Sequence, residues 1–200
     1  MIVGVVRTGA QRASFHQRLA VVLTGTFIAT LFGFAVAAAT PAPAAASTPP
    51  WYDVEVYYLK LVNCTRTGGW VQSDGSCTGY GSGRYSKYVA PLKLNSNLSA
   101  VARKWAKYLS LTDQCKHGDP GARLRAAGYT SWRWGENIGC RNGDANAFRA
   151  VLWSHRAFQA EKSSGGGHWK NIKNPMFKYI GIGVWKDHNR VRLVTDFFSF

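Results

Sequence analysis

The first 46 residues constrain this chain most, because they read as an address and leave a single domain's length to fold. Arg7, Arg12 and Arg18 come with no acidic residue, and Leu19 to Ala39 then runs 21 residues without a charge. The stretch TPAPAAASTPP that follows sustains neither helix nor strand. A basic start, an apolar middle and small residues at A-x-A spacing mark a secretory signal peptide, with cuts expected after Ala-Val-Ala at 35–37 or Ala-Ala-Ala at 44–46. The length of the apolar run also admits an uncleaved anchor through residues 19–39. In either case the basic flank stays inside and the part beyond residue 50 faces outward. The expected organisation is a signal segment and linker over 1–46 and one secreted or extracellular domain over 51–200.

Outside the cell, thiols oxidise. Cys64, Cys77, Cys115 and Cys140 are the four cysteines, and all lie in the exported part. Three pairings are possible. Cys64–Cys77 with Cys115–Cys140 is the expected one, because each bridge then closes a short local loop, worth ~3 kcal/mol in the chain-entropy model. A four-thiolate metal site needs close C-x-x-C pairs, and the sequence has none.

Within the exported part the period changes once. Asp53 is expected to cap a helix through Val56, Tyr57 and Leu61 that ends before Gly68-Gly69, and 67–84 is rich in Gly and Ser and reads as loop. Leu98, Val101, Ala102, Trp105 and Leu109 fall on one face of a helix over 97–111. Asp119-Pro120 reads as N-cap and first residue of a short helix stopped by Gly128. A long helix over 144–160 starts at Asp144 and puts Phe148, Val151, Leu152, His155 and Phe158 or Gln159 on one side. Tyr179–Trp185 and Val191–Phe200, joined by the polar run 186–190, read as a hairpin. Helices first and an antiparallel hairpin last make the class α+β.

The whole chain carries 25 Lys and Arg against 10 Asp and Glu, a formal net charge of +15, with 14% aromatic residues. The aromatic content excludes a disordered chain. Without the signal segment the domain keeps 22 bases and 10 acids, +12. Such an excess calls for an acidic partner. The signatures G-x-S-x-G, H-E-x-x-H, the P-loop and G-x-G-x-x-G are all absent.

Four titratable residues stand in apolar or Gly-marked settings: His117 after Cys115, Glu136 in WGENIGC, Glu161 at the end of the long helix, and His168 after three glycines. A Cys115–Cys140 bond draws His117 and Glu136 together. Two histidines with carboxylates suit zinc or another divalent cation, His117 and His168 as ligands and Glu136 or Glu161 as acid/base on bound water. The opposing reading makes both histidines structural, each hydrogen-bonded by a neighbouring glutamate. His155 reads as a core residue, His188 as a turn residue, and Trp105, Trp132, Trp134, Trp153 and Trp185 as packing.

These pieces, taken in order over residues 55–198, resemble the CAP superfamily of cysteine-rich secretory, antigen 5 and pathogenesis-related proteins, whose domain is called SCP. Leu61 through Arg66 resembles the family's H-N-x-x-R helix end, with Val62 in place of its His. The run from Trp105 to His117 resembles the helix leading to the first cavity histidine. Gly135-Glu136-Asn137-Ile138 matches the G-E-N motif, and Phe158 through Glu161 resembles the W-x-x-E segment with Phe for Trp. Gly167-His168-Trp169, followed by Ile182 through Trp185, matches the G-H-aromatic signature and the strand behind it. The resemblance implies a three-layer α-β-α sandwich with a small central antiparallel sheet. It also implies a cleft of His117, Glu136, Glu161 and His168 that binds a divalent cation in some members. The family's C-terminal Y-N-Y segment with its cysteine is missing, and Glu161 and His168 stand unusually close in sequence.

Three functions follow as expectations. The first is a secreted module holding a ligand or metal in its cleft and associating with acidic cell-wall polymer or anionic lipid. The second is a divalent-metal-assisted hydrolase of peptide, glycan or ester. Nucleic-acid binding ranks last, because no recognition module is present and the bases are spread along the chain.

Overall fold

A computed structural model describes residues 47–131 and 133–200. The signal segment, its expected cuts, the apolar run 19–39 and Trp132 lie outside the described residues. Five helices, α1 Tyr52–Arg66, α2 Ser96–Leu111, α3 Pro120–Ala126, α4 Ala147–Ala160 and α5 Gly167–Lys173, surround the strands β3 Lys93–Leu94, β4 Trp134–Arg141, β5 Tyr179–Asp187 and β6 Arg190–Phe198. These strands form one sheet in the order β3-β5-β6-β4, while β1 Trp70–Val71 and β2 Cys77–Thr78 make a separate ribbon.

The final hairpin is present as expected and forms the centre of the sheet. Its turn is tighter than 186–190: Asp187 pairs with Arg190, and His188 adopts a positive φ of 53°. The long strands are antiparallel, as anticipated, and the short edge strand β3 adds to β5 in parallel. Alternation along the strands assigns the two faces. Ile180, Ile182, Val184, Val191, Leu193 and Phe197 pack against α1, α4 and α5, while Val194 and Phe198 face α2 and α3. Layers of helices on both faces of a sheet give the α-β-α sandwich.

Two features bind the layers. A Cβ on Gly183 would lie 2.2 Å from the carbonyl carbon of Ala102, and one on Gly181 would lie 2.4 Å from that of Leu98, so glycine lets α2 rest directly on β5. Glu55 of α1 is fully buried, takes three hydrogen bonds from Arg103 of α2 at 2.5–3.0 Å, and accepts from Val184 N at 3.3 Å.

Several expectations at element ends need correction. Trp51, not Asp53, stands at the N-cap of α1, with no side-chain bond, and Asp53 sits in the first turn. Asn95 caps α2 through Leu98 N, and Asn146 caps α4 through Arg149 N, each two residues from the expected start at Asn97 or Asp144. Asp144 instead pairs with Arg149 at 2.7 Å. Phe148 was expected on the inner side of α4 but is 44% exposed, its edge against Tyr57. Cysteine 77 sits in ribbon β1–β2 within the stretch read as loop, and both disulfides pair as expected, Cys64–Cys77 and Cys115–Cys140. The bases are not uniformly at the surface. Arg66 is fully buried and donates to the carbonyls of Ala90, Ile172, Asn174 and Phe177, and burial lowers its pKa to about 10.

Candidate functional site

Strand β4 is the edge of the sheet, and the candidate residues gather along it from both layers. His117 lies in the loop between α2 and α3, which the Cys115–Cys140 bridge ties to the far end of β4. Its Nδ1 stands 2.8 Å from Glu136 Oε1. The other carboxylate oxygen, Oε2, accepts a short hydrogen bond from Arg123 of α3, whose second terminal nitrogen donates to the carbonyl of His117 at 2.8 Å. Asp119 holds the start of α3 by accepting from Ala122 N, and the Trp105 ring lies 4.1 Å from the Arg123 guanidinium. A bridge, a capped helix and an arginine fork thus fix one His–Glu pair.

The second pair comes from the opposite layer. Glu161 is the C-cap residue of α4, and three glycines turn the chain into α5, an element the sequence reading did not anticipate. His168 Nδ1 stands 2.6 Å from Glu161 Oε1, and Glu161 Oε2 accepts from the backbone N–H of His168 at 3.0 Å. The His168 ring stacks on Phe158 at 4.2 Å. Gly166 is required for this: a Cβ there would lie 2.4 Å from Glu161 Oε2. Closeness in sequence is therefore the means by which one tight turn forms the pair.

The G-E-N run joins the two halves. Gly135 leaves room for Asn171 of α5, whose amide oxygen would be 2.7 Å from a Cβ. Asn137 donates to the carbonyl of His168 at 3.1 Å, and Asn171 donates to Asn137 Oδ1 at 2.8 Å and to the carbonyl of Glu136 at 3.2 Å. His117, Glu136, Glu161 and His168 all line one cavity of about 420 Å³, with Ser164, Gly166, Gly167 and Asn171.

The two glutamates are electrostatically different. Burial pushes the Glu136 carboxyl above its ordinary value, although Arg123 and His117 pull the other way. Glu161 is held below its ordinary value: its partial burial acts upward, but the bonds from His168 and from the N–H groups of Trp169 and His168 outweigh it. Behind Glu136, across the β4–β6 ladder, lies Asp196, 1% exposed, its Oδ1 without a partner among the described residues. Burial first and the neighbouring Glu136 charge second push Asp196 well above the usual Asp range.

In both pairs Nδ1 faces a carboxylate oxygen, an arrangement that in a neutral ring puts the proton on Nδ1 and the lone pair on Nε2. Among the described residues no group of three or more His, Cys, Asp or Glu is placed to hold a metal ion. Two imidazoles fall short of the three protein ligands of a catalytic zinc site and the four of a structural one. Nε2 of His117 and Nε2 of His168 are the two nitrogen atoms lining the cleft that could hold a cation.

Sequence reading missed Arg123, Asp196 and Asn171, and gave Asn137 no role. Arg123 was discoverable, since it follows the cap Asp119 on the short helix beside His117. Asp196 was not, because only strand register sets it opposite Glu136. His155 is a core residue as read: it is fully buried, with Nε2 2.8 Å from Thr65 Oγ1, and burial lowers its pKa to about 3. Val62, standing where the family pattern has His, is likewise fully buried.

Residues 62–198 match the model of the cysteine-rich secretory protein family, CAP. A Bacillus anthracis extracellular protein containing a SCP domain is similar in structure, with a TM-score of 0.53 and 17% identity over 78% of this chain. The match spans 45% of that protein's length. NaASP2, solved with Zn2+, has a TM-score of 0.52 and 16% identity, with 73% of this chain and 79% of that one covered. Among curated proteins no sequence matches.

Proposed function

The chain belongs to the cysteine-rich secretory protein family, CAP, and on that footing we propose that it is an exported binding module that holds a ligand in the His/Glu cleft and associates with an anionic cell envelope. The cleft carries the first half of this reading. Four titratable side chains from two layers converge on one cavity, each imidazole aligned by a carboxylate, an arrangement that costs buried charge and is not needed for packing. Charge partition supports the second half. Of the ten acids in the exported part, Glu55, Glu136, Asp144 and Asp196 are buried, whereas of the 22 bases only Arg66 and Arg192 are. The outer surface is thus more one-sided than the net charge of +12.

Zinc or another divalent cation enters as a removable companion of the ligand, held by Nε2 of His117 and His168. The hydrolase alternative finds no third protein ligand among the described residues. Residues 47–131 and 133–200 contain no helix long and apolar enough to cross a membrane.

Retention on purified envelope material, measured at low and high salt, tests the reading. Binding released by salt is expected, since exposed charges are screened within a Debye length of ~8 Å at physiological strength. Retention that ignores salt would overturn it. In parallel, zinc titration by calorimetry should show affinity falling about tenfold in Glu161→Gln, where the carboxylate that aligns His168 is neutralised.

A further inference from the structure

A second cavity, of about 530 Å³, lies on the other side of the α4–α5 turn. The two cavities share that turn residue by residue: Glu161 and His168 face the cleft, and their chain neighbours Lys162 and Trp169 line the second cavity. Its wall carries Lys87, Lys162 and Lys173, and no acidic residue. Tyr88 and Trp169 supply aromatic faces beside these ammonium groups.

The three cations are held differently. Lys173 is fixed, its Nζ donating to the carbonyls of Thr65, Arg66 and Lys87 at 2.7–3.0 Å, and Lys162 donates to the carbonyl of Tyr85. Lys87 has no side-chain partner among the described residues, and none of the three forms an ion pair there. The Ser86 hydroxyl, also on the wall, is shielded from solvent and has no hydrogen-bond partner among the described residues. The local field is already strained: burial, then Arg66 and Lys162, lower the pKa of Lys173 to about 8. Two anchored charges, a free ammonium and an aromatic wall form a concave cationic site.

We propose that this cavity is an anion subsite, taking the phosphate of a phosphorylated sugar unit whose ring stacks on Trp169, so that the module grips a phosphodiester-linked envelope glycan at a point beside the His/Glu cleft. Phosphate suits the site because three cations line one cavity with no counter-charge, and because the Lys87 ammonium is left free to donate to an oxyanion. The inference rests on the envelope-binding reading and assigns it a substrate class.

The test uses the full exported chain and a short oligosaccharide whose sugars are joined through phosphodiesters, with the matching uncharged oligosaccharide as control and vesicles of anionic phospholipid as a separate arm. Wild type should bind the phosphorylated oligomer, with inorganic phosphate competing, and should bind the uncharged one at least tenfold more weakly. Lys87→Gln/Lys162→Gln should weaken oligomer binding at least fivefold, and Trp169→Leu should do so with an unchanged circular-dichroism spectrum. His117→Ala tests the cleft separately. If oligomer binding falls in His117→Ala but not in Lys87→Gln/Lys162→Gln, the subsite is refuted and the envelope reading stands. Binding to vesicles alone also refutes the subsite. If wild type binds neither oligomer nor envelope material at low salt, both readings fall.

Discussion

Asp196 shows how much a single side chain can carry unseen. It is an acid on the inner face of a central strand, with a glutamate opposite and no basic partner of its own. A folded-state pKa raised above 3.8 means the fold favours the protonated form. The stabilisation is complete below the unfolded-state value and is lost as pH rises through the raised one. Asp196→Asn removes that loss, so urea denaturation at several pH values should show the variant gaining on wild type as pH increases from acid to neutral. A constant difference across that range would mean Asp196 is ionised in the fold. Glu161 has the opposite sign. Its carboxyl is held low, so its contribution is present above the ordinary Glu value and is lost as pH falls through the lowered one. The buried Glu136 and the half-exposed Glu161 thus give the cleft two carboxyls that titrate apart, which the residue types alone did not reveal.

At the scale of elements, apolar periodicity was legible and boundaries less so. Leu98, Ala102 and Leu109 lie fully buried on the inner face of α2, as their spacing predicts. The caps were displaced because Asn, Asp and Ser recur near each helix start, and only backbone conformation selects among them; Asn95 and Asn146 are extended and each helix begins at the next residue. Strand β4 escaped notice because Glu136 occupies an inward position where alternation calls for an apolar residue. Glycine placement was visible, but its purpose was not. Gly183→Ala should cost about 3 kcal/mol, since the new methyl meets α2 backbone that cannot rotate away. Thermal unfolding measures this, and a midpoint equal to wild type would show that α2 can retreat from β5. Gly167→Ala has open space around its Cβ and serves as the neutral control.

At the scale of the whole molecule, the two disulfides close spans of 13 and 25 residues. They work on different parts: one fixes the α1 end to the β1–β2 ribbon, the other draws the His117 loop to β4. Reduction should lower unfolding free energy by ~3 kcal/mol per bridge. Replacing Cys115 and Cys140 by Ser should in addition weaken zinc binding, while Cys64→Ser/Cys77→Ser should leave it close to wild type. Equal loss in both variants would show that the bridges act on the cleft only through global stability. The sequence by itself determined the α+β class, the disulfide pairing, the main helices and hairpin, and the identity of the four cleft residues, because these rest on local period, short loops and motif order. The tertiary structure alone decided that Glu136 and Glu161 each face Nδ1 of a histidine, that Arg123 and Asp196 stand beside Glu136 on its buried side, and that four of the ten acids but only two of the 22 bases are buried. Those facts depend on strand register and on which face each layer covers, and such long-range geometry is written into no single stretch of the chain.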